Sequence, residues 1–122
     1  MNHSVAQNDA RCEVRGVNEA GVARARSARA LDEHIAHLAN TFQLLASTTR
    51  LRIVEALARQ EFCVCDLATL VEVSESAVSH HLRQMRELRI VRYRREGRMA
   101  YYRLDDGHVA DLFRLGLDHV RE

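Results

Sequence analysis

The chain predicts a mainly α-helical protein with a β-hairpin wing: a winged helix-turn-helix in the order α-α-α-α-β-β-α. Three observations carry this. Apolar residues recur at helical spacing from Ala30 to about Arg89. The period then changes to two across a Glu96-Gly97 step. A helix headed by Ser74 follows a short helix and a tight turn, and it keeps one polar, Arg-bearing face.

Residues 1–25 are expected to form a flexible N-terminal arm, because their apolar residues are small and aperiodic. Cys12 and His3 lie in this arm. Residues 26–122 are expected to form one domain, which suits a chain of 122 residues.

In the first helix Leu31, Ile35, Leu38, Phe42 and Leu45 form one apolar stripe. Ser47 caps a second helix with Leu51, Val54, Leu57 and Ala58 inward. A third, short helix covers roughly 66–71, opened by Cys63-Val64-Cys65-Asp66. Ser74 caps the fourth, and Glu75 in its first turn complements the helix dipole. Its inward positions are Ala77, Val78, Leu82, Met85 and Leu88. Residues 90–95 and 99–104 read as strands. A last helix runs from about Asp106 to Glu122.

Charge is segregated. All 18 basic residues are Arg. Residues 74–103 hold eight Arg against three Glu, a net +5; residues 104–122 hold two Arg against five acids, a net −3. The basic segment suits a polyanion and the acidic one a cation, with solvated surface as the alternative. A major groove admits one helix, which must carry short hydrogen-bonding side chains near its N-terminus. Ser76, Ser79 and His80 have that character and place. Arg83 and Arg86 can neutralise phosphates, and Arg92, Arg94, Arg95 and Arg98 arm the wing. Double-stranded DNA is therefore the expected partner.

Asp106, His108, His119 and Glu122 are candidate metal ligands. His108 and His119 are 11 residues apart, so they return to within about 20° on an ideal helix but lie about 16 Å apart along it. They cannot share one ion within a chain, since Zn–N bonds are about 2 Å. Two last helices packed antiparallel would join Asp106 and His108 of one copy to His119 and Glu122 of the other, giving two equivalent sites. Such a set suits Zn(II), with Co(II) or Ni(II) also compatible. The alternative is an N-cap, a frayed terminus and two surface histidines.

Cys63 and Cys65 share one side of an extended segment, but diverge by about 200° if the helix starts earlier. With Cys12 they form a candidate thiolate site for Zn(II), Cd(II), Pb(II), Cu(I) or As(III), or a thiol-oxidation switch. A helix N-terminus is expected to favour their thiolates. The alternative is a pair of small buried hydrophobes.

No apolar run approaches the roughly 18 residues needed to span a bilayer, so no membrane role is expected. The three cysteines and the polar N-terminus point to a reduced, cytoplasmic setting. No nucleophile–base arrangement appears, and a four-donor set leaves no open metal position, so catalysis is not expected.

These residues resemble the ArsR/SmtB family of metal-sensing winged-helix repressors, in its zinc-responsive type, over about residues 30–122. The resemblance rests on Glu61-Phe62-Cys63-Val64-Cys65-Asp66-Leu67, on Val73-Ser74-Glu75-Ser76-Ala77-Val78-Ser79-His80-His81-Leu82, and on Gly97-Arg98-Met99-Ala100-Tyr101-Tyr102. It extends to Asp106, His108, His119 and Glu122, which match the family's last-helix zinc site. It implies a homodimer through the first and last helices, and a metal-free dimer that binds operator DNA and is weakened by metal. It assigns DNA contacts to Ser76, Ser79, His80 and the wing around Arg98. The chain departs from family members that supply two arm ligands, having Cys12 alone. It also lacks the third Cys of many arsenic sensors, with Ala68 and Thr69 in that stretch, and has Thr48 where many relatives have Pro.

Overall fold

The computed structural model describes residues 10–122. The first nine residues of the expected arm, His3 among them, lie outside the described part. The elements run α1 (Glu19–Ala28), α2 (Asp32–Leu45), α3 (Thr48–Leu57), β1 (Phe62–Cys63), α4 (Val64–Val71), α5 (Glu75–Glu87), β2 (Val91–Glu96), β3 (Met99–Leu104) and α6 (Gly107–Val120).

All five expected helices are present, as α2 to α6. Helix α1 is an addition and runs through the expected arm boundary at Ala25. It is held by local chemistry rather than burial. Asn18 Oδ1 accepts from the Gly21 N–H at 2.9 Å, Glu19 opens the first turn, and no residue of the helix is buried. Without an apolar stripe it left no periodic signal.

The wing is larger than a hairpin. Strands β2 and β3 pair antiparallel from Val91↔Leu104 to Glu96↔Met99, and β1 adds to β3 through Phe62↔Tyr102 and Cys63↔Tyr101. The order is β1-β3-β2. The connection is Gly97-Arg98 rather than Glu96-Gly97, since Glu96 still pairs in β2. Gly97 takes φ +62°, a backbone state open to glycine, and Arg98 follows at the tip of the wing.

The core gathers Ile53 and Val54 of α3, Leu67 of α4, and Val78, Leu82 and Met85 of α5. Ile90 and Val91 close it under the sheet. On α3 the inward set is Ile53, Val54, Ala56 and Leu57; Leu51 and Ala58 are exposed. Leu88, expected inward on α5, is exposed as well. Helix α4 starts at Val64, two residues earlier than expected, because Cys63 is its N-cap and donates its N–H to Asp66 Oδ2 at 3.3 Å.

The stripe on α2 does not face this core. Leu31, Ile35, Leu38 and Phe42 are 48–60% exposed, and only Leu45 is buried. Leu112, Leu115 and Val120 of α6 are exposed and share a groove with Phe42. Phe42, Leu45, Leu51, Val54, Leu112 and Phe113 line an apolar groove of about 570 Å³ between α2, α3 and α6. An exposed apolar surface of this kind marks an interaction face.

Candidate DNA-reading surface and metal half-sites

Helix α5 is presented by a tight turn after α4. Glu72 takes the left-handed conformation at φ 59°, and the Val73 N–H donates to the Ala68 carbonyl at 3.3 Å. Ser74 Oγ then accepts from the Ala77 N–H at 3.0 Å, capping α5. Ser76, His80 and Arg83 are exposed along the helix, and Ser79 is half-buried. These four share the outer side, while Val78, Leu82 and Met85 bury the other.

The wing arginines divide into two sets. Arg94 is held by Glu61 at 2.9 Å and Glu96 at 2.8 Å, and its guanidinium lies 5.0 Å from the centre of the Tyr101 ring. Its hydrogen bonds to Glu61 push its pKa above the ordinary arginine range. Arg92 lies 3.9 Å from Asp105. Arg95 instead faces Tyr93, 5.9 Å from the ring centre, and Arg86 of α5 reaches the same ring at 5.1 Å. Tyr93 in turn packs on Tyr102, with ring centres 5.2 Å apart. Among the described residues Arg83, Arg86, Arg95 and Arg98 form no ion pair. Two cations on one ring without a carboxylate are poised for phosphate.

Sequence reasoning did not find Tyr93, Glu61 or Arg50. Strand alternation places Tyr93 and Arg95 on one face and Arg92, Arg94 and Glu96 on the other, and that signal was available. The partner across the fold was not.

The expected metal ligands form two separate pairs. At the start of α6, Asp106 caps the helix: its Oδ1 accepts from the His108 N–H at 2.9 Å. Its Oδ2 lies 3.2 Å from His108 Nδ1. This side-chain hydrogen bond holds the Asp106 carboxyl below the usual carboxylate range. At the far end, His119 Nδ1 is 3.9 Å from Glu122 Oε1. All four side chains are exposed. Among the described residues no three His, Cys, Asp or Glu side chains converge on one ion within the chain. Each pair offers one nitrogen and one oxygen donor of the kind zinc takes. His119 also lines the apolar groove.

The cysteines divide because α4 starts early. Cys63 is buried at the end of β1, and Cys65 is exposed in the first turn of α4. The Cys65 thiol is pushed up from its ordinary pKa, first by the Glu75 carboxylate and then by burial and the neighbouring Cys63. This shift runs opposite to the thiolate expected at a helix N-terminus, and the Glu75 carboxylate is its first cause. Cys12 is exposed in irregular chain before α1.

The fold and its open arginines define a winged helix-turn-helix regulator. Residues 47–93 match the family described as bacterial regulatory protein, arsR family. A transcriptional repressor SmtB homolog from Synechocystis is 56% identical over 85 residues, covering 70% of this chain and 64% of that protein. The chain thus spans just under two thirds of that relative. A cadmium resistance transcriptional regulatory protein CadC homolog from Staphylococcus aureus is 40% identical over 112 residues, covering 91% of this chain and 92% of that one. Among solved structures, the homodimeric winged helix-turn-helix DNA-binding domain of a possible ArsR-family regulator from Mycobacterium bovis aligns with a TM-score of 0.70 and 32% identity. It covers 78% of this chain and 91% of its own. The chain belongs to the ArsR/SmtB family of bacterial transcriptional regulators, and its homologues are DNA-binding proteins rather than enzymes. No helix among the described residues is long and apolar enough to cross a membrane.

Proposed function

We propose that the protein is a zinc-responsive transcriptional repressor of the cytoplasm that works as a homodimer through α2 and α6. The observation that carries this is the arrangement of α6. Its two donor pairs stand at opposite ends of the helix, and His119 lines an exposed apolar groove that also takes in Phe42 of the exposed α2 stripe. A second copy packed antiparallel on that face covers the apolar surface and completes two sites of two His and two carboxylates. The metal-free dimer binds operator DNA through Ser76, Ser79, His80 and Arg83, with Arg95 and Arg98 of the wing on the backbone. Half-sites must lie about one helical turn apart. Zn(II) pinned between the two α6 helices fixes a spacing that no longer matches, and a coupling of about 3 kcal/mol lowers DNA affinity more than 100-fold.

Supporting this reading, the Staphylococcus aureus relative is named for cadmium resistance and the Synechocystis relative is named a transcriptional repressor. The test is fluorescence anisotropy on a duplex from upstream of the protein's own gene. The reduced, metal-free protein binds; Zn(II) releases it; EDTA restores binding. His119→Ala binds DNA and ignores Zn(II). Zinc release by the His119→Ala protein would overturn the α6 mechanism.

A second reading is a sensor of Cd(II), Pb(II) or thiol oxidation through Cys63, Cys65 and Cys12. The closeness of Cys65 to Cys63 favours it, and the burial of Cys63 opposes it. Strong sulfur-to-metal absorption at the first equivalent of Cd(II), with DNA release, would select this reading. Release by peroxide without metal would select oxidation.

A further inference from the structure

One cation joins three helices that the sequence keeps apart. Arg50 is the third residue of α3, and its own N–H donates to the cap oxygen of Ser47 at 3.3 Å. Its side chain turns back across the fold. Nη1 donates to the Leu44 carbonyl, in the last turn of α2, at 3.1 Å. Nε donates to His81 Nδ1 at 3.0 Å, and Nη2 donates to Gln84 Oε1. His81 and Gln84 are three residues apart on α5, so they share one face of that helix.

The chemistry suits a strut. A guanidinium is planar and permanently charged, with its donors spread in a rigid fork. Here the fork spans one carbonyl, one imidazole and one amide, each an acceptor. The carbonyl is among the last four of α2, which have no partner inside the helix and sit at its negative end. Arg50 therefore completes the end of α2 with the same group that holds α5. A shorter or single-headed cation cannot meet all three acceptors at once.

We infer that Arg50 is the positioning residue that ties the reading helix α5 to the end of α2, so that a change in how two copies pack on the α2/α6 face reaches the DNA through its three hydrogen bonds. This rests on the proposed zinc response of that face. Arg50 touches neither the donor pairs of α6 nor the outer side of α5. It acts only through His81, Gln84 and Leu44.

The experiment compares the full-length dimer with Arg50→Lys, Gln84→Met and Gln84→Glu. Arg50→Lys keeps the charge and loses the fork. Gln84→Met removes one acceptor at nearly constant volume, and Gln84→Glu keeps an acceptor there. Three quantities are read for each: cooperative thermal unfolding, Zn(II) affinity by chelator competition without DNA, and the ratio of DNA affinities without and with Zn(II). Taking the ratio cancels any uniform effect of a changed charge on DNA binding.

Arg50→Lys and Gln84→Met are expected to unfold cooperatively and to bind Zn(II) within about twofold of the native protein. Their zinc-induced loss of DNA affinity falls from more than 100-fold to about tenfold or less, a range typical of weakened coupling. Gln84→Glu retains the native ratio. If Arg50→Lys and Gln84→Met both keep the native ratio within about twofold, the inference is wrong and Arg50 only packs. If the native protein itself ignores Zn(II), the proposed function fails on its own, and metal-free DNA affinity decides about Arg50. A loss of about tenfold in Gln84→Met, absent in Gln84→Glu, upholds the positioning role; equal affinities end it.

Discussion

His108 Nδ1 lies 3.2 Å from Asp106 Oδ2, so the side chains that open α6 are drawn together. The second pair, His119 and Glu122, stands at 3.9 Å near the far end of the same helix. A site built from one pair of each copy makes a prediction that a single-chain site does not. His108→Ala destroys both sites of a homodimer, and so does His119→Ala. A mixed dimer of the two variants restores one site, because one copy keeps Asp106 and His108 while the other keeps His119 and Glu122. Refolding the variants together is expected to yield one tightly bound Zn(II) per mixed dimer, measured by chelator competition. No recovery in the mixture would show that the pairs do not meet across the interface.

The open arginines should carry the salt dependence of DNA binding. Each phosphate contact contributes about −0.9 to the slope of log affinity against log salt on duplex DNA. Arg86→Ala and Arg95→Ala are each expected to make the slope shallower by about that amount. Arg94→Ala should leave the slope unchanged, since Glu61 and Glu96 already neutralise that guanidinium. Anisotropy titrations at four salt concentrations decide it, and a slope change in Arg94→Ala as large as in Arg95→Ala would refute the division of the wing.

Two helices end on non-glycine residues in the left-handed region: Glu72 at φ 59° after α4, and Arg89 at φ 59° after α5. In the second case the Ile90 N–H closes back on the Met85 carbonyl at 2.8 Å. The left-handed state costs a residue with a Cβ about 1–2 kcal/mol, part of which glycine returns through the entropy of its unfolded chain. Glu72→Gly and Arg89→Gly are each expected to stabilise the protein by about 0.5–1 kcal/mol. Chemical denaturation measures this, and a loss of stability would mean that these side chains hold contacts worth more than the strain.

His81 supplies a pH dependence of known sign. Burial holds its pKa below the ordinary value, helped by Arg50 and His80. Its Nδ1 accepts from Arg50, so the folded protein keeps the ring neutral. As pH falls through about 6.5 the unfolded chain takes up the proton first. Stability is therefore full above that value and declines as pH drops toward the lower folded pKa. Between pH 7.5 and 5.5 the native protein should lose more in Tm than His81→Gln, whose amide does not titrate. Equal losses would remove His81 as the cause.

Much of the fold was legible in local pattern. The stripe of α2, the caps Ser47, Ser74 and Asp106, the polar side of α5 and the alternation of the wing are short-range signals, and a single element suffices to express them. The separation of the two α6 histidines was legible too, because helix geometry alone places His108 and His119 on one side and too far apart to share an ion within the chain.

What only the tertiary structure decided depends on which elements meet. Leu31, Ile35, Leu38 and Phe42 read as one apolar stripe by periodicity, and they lie exposed, because periodicity marks an apolar side without saying what covers it. Glu61 neutralises Arg94 from 33 residues away, which no strand pattern can reveal. The early start of α4 buries Cys63 and leaves Cys65 exposed, and the Glu75 carboxylate raises the Cys65 thiol. Arg50 carries no local signal of its role, because only the packing sets Leu44, His81 and Gln84 around its guanidinium. Sequence determined the elements and their sides; the third dimension decided which charges are cancelled, which remain open to DNA, and which cation holds the reading helix in place.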